Sequence, residues 1–491
     1  MENIDYKIII GLEIHVQLAT ESKLFCSCPN RFGNEPNSNV CPVCMGAPGS
    51  LPVMNKKAFE YSVRTAIAMN CKIAEFTKWD RKSYYYPDLP KNYQISQYDL
   101  PLGENGYLEI PIAEGERQTK RIRIRRIHLE EDAGKLLHEG NEGFSQIDLN
   151  RTGTPLMEIV TEPDITSPQE ARIFGTELRS LVRHLGVSDA NMERGQMRLE
   201  PNINLVITVD GKEFRTPIVE IKNLGSLRAI ERACEYEVKR QLAEWQQGGK
   251  TMESGNKSTR GWDENRGITV LQREKEEAHD YRYFPDPDLM PVVVTSDWLE
   301  EIKKDVCELP VKRRIRFSEE YGISERDVAT ILEHRGTADL FEEAIKLGAP
   351  VKVLSNQFIS FWSMHANQRN VAIADLGVSA EHLAKLAQMV GEGIINATAA
   401  SSIAEKMLSC SDSPEVIAER ENLLQVSDSS EIEKIVDEVL AENSQAVEDV
   451  LTGGKKQKKA FGFLMGQVMQ KSRGQANPKV VNELLSQKLS R

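Results

Sequence analysis

Along residues 6–18 every second position is apolar: Tyr6, Ile8, Ile10, Leu12, Ile14, Val16 and Leu18. A period of two predicts a strand with one buried face. Its other face carries Lys7, Glu13, His15 and Gln17. Further strands are expected at 121–130, 203–209 and 216–222. Within 121–130 the apolar face switches between Ile124 and Ile127. A bulge or strand end should therefore precede His128 and Glu130, and bulges often aim side chains into sites. Residues 167–186 predict a helix. Ser167 and Glu170 have capping-box spacing, Pro168 suits the first turn and Gly186 the stop. Phe174, Leu178, Leu181, Val182 and Leu185 form its apolar stripe. A second helix is expected over Ser226–Gln247, then a glycine-rich loop over 248–258. No repeat at solenoid or propeller spacing is visible.

Strand and helix patterns mix as far as residue 290, and beyond about 297 only helical patterns remain. The fold class is therefore α+β. Pro285, Pro287 and Pro291 mark one boundary and Ser411–Pro414 another. The expected regions are 1–293, an all-α region 294–410 and a small helical tail 411–491.

Length and charge narrow the class. The chain has 491 residues, 40% hydrophobic and 28% charged, with a net charge of −12. No apolar run approaches the ~20 residues of a membrane span. Glu2 and Asp5 sit where a secretory leader would be basic, so a cytoplasmic location is expected. The acidic total argues against indiscriminate nucleic-acid binding, but local charge differs. Residues 411–451 hold 12 acidic and 2 basic residues, a net of −10; residues 452–491 hold 9 basic and 1 acidic, a net of +8. A compact basic end on an acidic protein suits an RNA contact as well as a solvated surface.

Eight cysteines are too few for a disulfide scaffold. Four of them, Cys26, Cys28, Cys41 and Cys44, give C-x-C-x12-C-x-x-C. Two thiolate pairs at this spacing can close a tetrahedral zinc site with no open position, which is structural rather than catalytic. Cys234 lies in a helix stripe and reads as core.

Glu13 and His15 share the polar face of the first strand, Glu130 ends an arginine-rich strand, and Glu220 sits beside Lys222 on another. Carboxylates from three strands can converge on Mg2+, a hard ion that often bridges to phosphates. Arg121, Arg123 and Arg125 alternate along one strand face, fit either for phosphates or for solvent. There is no P-loop, no dinucleotide-binding glycine motif and no nucleophile elbow. Hydrolysis of an amide by this chain itself is not expected.

Several strings together carry a resemblance. They are Gly11–His15 (GLEIH), Trp79–Asp88 (WDRKSYYYPD), Leu89–Gln97 (LPKNYQISQ), His128–Lys135 (HLEEDAGK), Asp148–Arg151 (DLNR) and Gly153–Asp164 (GTPLMEIVTEPD). To these add Glu220–Leu224 (EIKNL), Thr259–Glu264 (TRGWDE), Asp280–Leu289 (DYRYFPDPDL), Gly462–Met469 (GFLMGQVM) and Gly474–Pro478 (GQANP). The chain resembles the family of aspartyl/glutamyl-tRNA(Asn/Gln) amidotransferase B subunits. The likeness covers nearly all of 6–291 and returns in the tail. It departs at Met192–Asn204, around Glu200.

The resemblance implies a kinase-like cradle, a helical domain and a tRNA-binding tail. It implies ATP, and Mg2+ held by Glu13, His15, Glu130 and Glu220. Lys82 would stand where an ammonia channel opens, and the cysteine quartet would be a zinc knuckle. The implied partners are an amidase (glutaminase) subunit, a small third subunit of the same complex, and tRNA(Gln) or tRNA(Asn). The activity implied is ATP-dependent transamidation of misacylated Glu-tRNA(Gln) or Asp-tRNA(Asn). The rival from another class is a non-enzymatic RNA-binding protein with a zinc knuckle. That rival leaves the carboxylates on separate strands unexplained.

Overall fold

The first strand runs Asp5–Gln17 and buries Ile10, Leu12, Ile14 and Val16 on one face, as its alternation requires. The structure is a computed structural model that describes residues 5–113, 118–137, 144–253, 256–275, 281–425, 429–452, 457–472 and 476–489. It divides into two units, Met1–Ile315 and Arg316–Arg491.

The first unit is built on a ten-stranded sheet. Its order is Ile268–Lys275, Lys257–Asp263, Val219–Lys222, Met197–Val209, Asp5–Gln17, Pro155–Thr161, Thr119–Glu131, Gly103–Pro111 and Lys72–Ile73, with Lys212–Arg215 hairpinned onto Met197–Val209. Every pairing is antiparallel except that of Val219–Lys222 with Lys257–Asp263. A parallel pair needs a crossover, and the helix Leu227–Gly248 supplies it. This helix, Lys56–Ala68 and Pro168–His184 share one apolar cluster with the inward face of the sheet. In Pro168–His184 the stripe from Phe174 to Leu185 is buried, and the Ser167 hydroxyl accepts from Glu170 N–H. The Glu170 carboxylate reaches back to Thr166 N–H at 2.8 Å, one residue before the expected partner.

The expected strands are present with shifted ends: 121–130 lies within Thr119–Glu131, 203–209 within Met197–Val209, and 216–222 shortens to Val219–Lys222. The loop expected over 248–258 yields at its end to the strand from Lys257; residues 254–255 lie outside the described ones.

The helix Ser296–Lys304, assigned from sequence to the helical region, packs within the first unit. Trp298 stacks on Phe59 at 5.5 Å, and Asp305 pairs with Arg64. The elements of the second unit are helices, with two separate apolar clusters, one over Phe317–Ala418 and one over Ile432–Leu489. The α+β class stands. Among the described residues no helix is long and apolar enough to cross a membrane.

Candidate active site

The strand Thr119–Glu131 breaks register against Pro155–Thr161: Val160 faces Arg126, but Thr161 faces Ile124. One extra residue, Arg125, is thus taken up in a bulge, where the apolar switch demanded it. Ile122 and Ile124 before it and Ile127 and Leu129 after it all enter the core. The bulge therefore turns Arg126, His128 and Glu130 onto the polar face. Register does the rest. His128 faces Glu158, Glu158 faces His15, and His15 faces Arg198, one rank across four strands. Glu130 lies two residues along from His128, and Glu13 two along from His15.

The result is a buried knot of ionisable groups. His15 Nε2 lies 3.8 Å from Glu13 Oε1, 3.6 Å from Glu130 Oε1 and 3.4 Å from Glu158 Oε2. His128 Nε2 lies 3.6 Å from Glu130 Oε2 and 3.4 Å from Glu158 Oε2. Burial alone would push both imidazoles down. The carboxylates outweigh it, Glu158 foremost, raising His15 and lifting His128 to about 9. Burial likewise opposes ionisation of Glu130, but Lys82 and His128 hold its carboxyl below the usual range. Burial and Glu158 raise Glu13. Hard oxygens and imidazole nitrogens at these spacings suit a divalent ion.

A hairpin of Asp80–Ser83 and Tyr93–Ser96 borders the knot. The Ser96 hydroxyl donates to Glu130 Oε2 at 3.1 Å, while Ile95 N–H donates to Glu131 Oε1 at 2.9 Å. Lys82 is charged against Glu130, Glu158 and Glu13, and its Nζ sits 5.0 Å over the Tyr281 ring. Tyr84 meets Tyr281 edge-on, and Tyr98 stacks on Tyr283 at 4.0 Å. Tyr85 and Tyr86 lie in the loop beyond Ser83 and are exposed.

Glu13, His15, Glu130 and Lys82 are thus brought together. Glu220 is not among them. It lies two strands away from Glu13, facing Asn202, and is engaged by Lys222 Nζ at 3.1 Å and the Thr259 hydroxyl at 2.8 Å. Lys222 also bonds Glu200, at 2.5 Å. Glu158 and His128 take the central place. Sequence reasoning missed Glu158 and placed His128 just past the bulge without giving it a role, although each lies in a string that carried the resemblance. The signal for Glu158 was a lone carboxylate inside the apolar run PLMEIVT. Arg121, Arg123 and Arg125 are paired with Glu109, Asp164 and Glu162 at 2.6–2.9 Å. Exposed pairs of this kind stabilise little, because solvent screens them. Each of the three guanidiniums is thus already paired with a carboxylate.

The sulfurs of Cys26, Cys28, Cys41 and Cys44 lie within 4.8 Å of one another, a spread that one tetrahedral zinc can span. A hydrogen bond from Cys26 pulls the Cys44 thiol down to about 5 against the effect of burial, helped by Cys41 N–H and Lys23. Burial pushes Cys28 up to about 11. Lys23 is only 1% exposed; its Nζ donates to Asn39 O at 2.8 Å and stands 3.7 Å from Cys44 Sγ. Gly153 seals the contact. Its φ is +82°, and a Cβ there would meet Cys44 Cβ at 3.3 Å. Cys234 is core, as expected.

With this geometry in view, the family models are informative. A model described as the GatB/GatE catalytic domain matches residues 8–300, and one described as the GatB domain matches 339–489. The chain belongs to the GatB family. Relatives named as the B subunit of aspartyl/glutamyl-tRNA(Asn/Gln) amidotransferase agree along its whole length. One from Carboxydothermus hydrogenoformans is 47% identical over 490 residues, 99% of each chain. One from Thermodesulfovibrio yellowstonii is 48% identical over 484 residues, 98% of each. One from Thermoanaerobacter pseudethanolicus is 47% identical over 487 residues, 99% of this chain and all of the relative. The buried knot and the cysteine quartet both fall inside the GatB catalytic match. A non-enzymatic RNA-binding protein is therefore not favoured.

Asp132 tests how this GatB face is held. Burial would raise its carboxyl, but Arg198 and Arg151 hold it below the usual range, and it accepts from Gln17 and Arg198 at 2.9 and 3.0 Å. Asp132→Asn should cost about 1.5–3 kcal/mol at pH 7. A depressed carboxyl stabilises above its unfolded value of ~3.9 and loses that contribution as pH falls through its folded value. The gap between parent and variant, read by denaturant unfolding, should therefore close in acid. Cys41→Ser should lower zinc from about one ion per chain and open residues 20–55 to protease, because metal binding there is folding energy.

Proposed function

We propose that this chain is the carboxyl-activating, tRNA-binding component of a glutamine-hydrolysing amidotransferase. It converts misacylated Glu-tRNA(Gln) to Gln-tRNA(Gln), Asp-tRNA(Asn) to Asn-tRNA(Asn), or both, using ATP. A partner amidase (glutaminase) subunit supplies the ammonia, and a small third subunit completes the complex, which works in the cytoplasm. The observation that carries this reading is the convergence of Glu13, His15, Glu130, Glu158 and Lys82 inside a GatB catalytic match.

A carboxylate is a poor electrophile because oxide is a poor leaving group. Phosphorylation turns it into an acyl phosphate. Glu13, His15, Glu130 and Glu158 would hold Mg2+, which when bound neutralises the phosphates and aligns the transferred group. The Ser96 hydroxyl fixes one oxygen of the Glu130 carboxylate, which would be one of the ligands. The Lys82 ammonium, kept charged by Glu130 and Glu158, orients the carboxylate and then the leaving phosphate. Tyr84, Tyr281, Tyr283 and Tyr98 wall the site and exclude water that would hydrolyse the activated ester. Ammonia then attacks the acyl carbon: the C–N bond forms, the C–O bond to phosphate breaks, and the phosphate takes the proton the nitrogen sheds. Tyr85 and Tyr86 offer exposed rings for the unpaired end of the tRNA. Cys26, Cys28, Cys41 and Cys44 would hold a structural zinc away from this chemistry.

In the tail, part of the basic charge is already spent. Lys471 pairs with Glu438 and Glu442, and Lys488 with Glu433 and Asp437. Lys458 and Lys459 remain exposed at the start of the helix Gln457–Lys471. Gly474, where the chain was expected to turn, lies outside the described residues.

In the reconstituted complex, Glu130→Gln should abolish ATP-dependent amide formation and leave tRNA affinity within a few-fold. Losing one carboxylate removes several kcal/mol of charge stabilisation at the transferred phosphate. Near-normal turnover at saturating substrates would refute the assignment. Deleting residues 412–491 should raise the Michaelis constant for aminoacyl-tRNA and flatten its salt dependence, with glutaminase activity retained. An unchanged salt slope would make the basic tail a solvated surface.

A further inference from the structure

Among the described residues, ten that are not glycine have a left-handed backbone, and eight of them are Asn or Asp, the types that tolerate it. Of the other two, Ala190 is small and Arg282 is not. Arg282 has φ +44°. A long side chain in that conformation is strained, and it persists only where its surroundings over-determine it.

Both flanks of Arg282 are pinned. On one side Phe284 and Pro285 pair with Arg81 and Asp80, and Arg81 Nε donates to the buried Asp286 carboxylate at 2.8 Å. That register would continue with Arg282 against Ser83. Instead Ser83 N–H donates to Tyr281 O at 2.8 Å, so one extra residue is taken up. A bulge residue with a left-handed backbone is ordinarily glycine. The bulge parts the side chains. Tyr281 and Tyr283 meet each other at 6.0 Å and turn to the site, one under Lys82 and the other on Tyr98. Arg282 goes to the rim. Its guanidinium lies 5.8 Å from the centre of the Tyr85 ring, and Nη2 donates to the Tyr85 hydroxyl at 3.2 Å. Both residues are exposed, Tyr85 by 68%.

Glycine or asparagine would carry this bend with less strain, so the residue type answers to its side chain. An exposed contact with a tyrosine adds little stability by itself. An aromatic ring backed by a guanidinium is, however, the equipment that single-stranded nucleic acid calls for: a base stacks on the ring, and the cation meets the phosphate. We propose that Arg282 is a positioning residue for the single-stranded 3′ end of the aminoacylated tRNA, with a base on Tyr85 and the adjoining phosphate on the Arg282 guanidinium. This rests on reading the cradle as the tRNA-dependent, carboxyl-activating site. The aminoacyl group beyond that end is then presented past Tyr281 and Tyr283 toward Lys82. Because residue 282 is fixed between two pinned flanks, the cation that grips the RNA is tied rigidly to the two rings that wall the chemistry. Grip and site share one geometry, which is what holding a reactant in place requires.

The test uses the reconstituted complex with misacylated tRNA and saturating ATP. Arg282→Asn keeps a residue that accepts the left-handed backbone, so it should melt at or above the temperature of the parent. It should raise KM for the misacylated tRNA about tenfold, the loss of one charge-assisted contact. Its kcat should stay within about two-fold, because binding outside the reacting atoms is lost equally from ground and transition states. The slope of log KM against log salt should fall by about 0.7, the share of one single-strand phosphate. Tyr85→Ala should raise KM and leave that slope unchanged, since the ring carries no charge. Arg282→Lys should restore the slope but not the full affinity, because an ammonium lacks the planar fork. An unchanged KM and slope in Arg282→Asn overturns the proposal. So does a loss carried by kcat and a lower melting temperature, or a failure to fold, either of which makes Arg282 part of the scaffold. ATP-dependent amide formation by the parent, measured on the same preparation, judges the functional reading separately.

Discussion

Glu130 and Glu158 are buried within reach of the same two imidazoles, and no apolar packing can offset the cost of two carboxylates removed from water in one place. Such a cluster persists only if positive charge stands among the acids. The chain supplies it from three directions: Lys82 from the bordering hairpin, His15 from the central strand and His128 from beyond the bulge. Divalent ions serve the same need more compactly. The features around the site follow from this constraint. Ser96 and Ile95 N–H fix the Glu130–Glu131 pair from one side, and Lys91 closes on Glu131 from another. Asp132, the third acid in the row, is drawn off toward Arg198 and Arg151. Three consecutive acids thus receive three different sets of partners, Asp132 lying just past the end of the strand.

The bulge at Arg125 makes this arrangement possible. An unbroken strand with Ile122 and Ile124 inward would send His128 and Glu130 into the core on the side of Ile159. The extra residue reverses parity, so the same strand is apolar on one face throughout and changes from surface arginines to buried ligands on the other. The arginines then meet Glu109, Asp164 and Glu162, which fixes the strand against its neighbours at the rim. Specificity of placement comes from this register more than from the energy of any one pair.

These features differ in how far a sequence can reveal them. The first strand, the bulge, the Ser167 cap and the cysteine spacing are local patterns, and each could be read from the residues that form it. Glu158 could not. Its strand is a short apolar run, and its importance appears only when Asp5–Gln17 and Thr119–Glu131 are laid on either side. Glu220 shows the converse. It occupies the correct face of a correct strand but stands two strands from Glu13, where Lys222 and Thr259 engage it. Ser296–Lys304 is helical as its pattern says, yet its packing, with Trp298 on Phe59 and Ile302 in the same apolar cluster, assigns it to the first unit. The charge split of the tail is visible in sequence, whereas the pairing of Lys471 and Lys488 with the helix Ser429–Glu442 depends on how the two halves fold together. Face and period are local properties; rank and partner are not.

The cysteine quartet and the cradle answer the same electrostatic problem in opposite ways. Four thiolates around one zinc carry an excess of two negative charges, and a closed site gives a substrate no access to it. The compensation must therefore be permanent. Lys23, almost fully buried, holds its ammonium between Asn39 O and Cys44 Sγ, where solvent does not reach it. Gly153 admits that packing because it has no Cβ, and its own N–H donates to Asp132 O at 3.0 Å. The loop that seals the quartet is thus bonded to the end of the strand that carries Glu130. In the cradle Glu13 and His15 stay partly open to solvent, while His128, Glu130 and Glu158 are buried. One site has its compensating ammonium sealed inside; the other keeps two of its ionisable groups within reach of solvent.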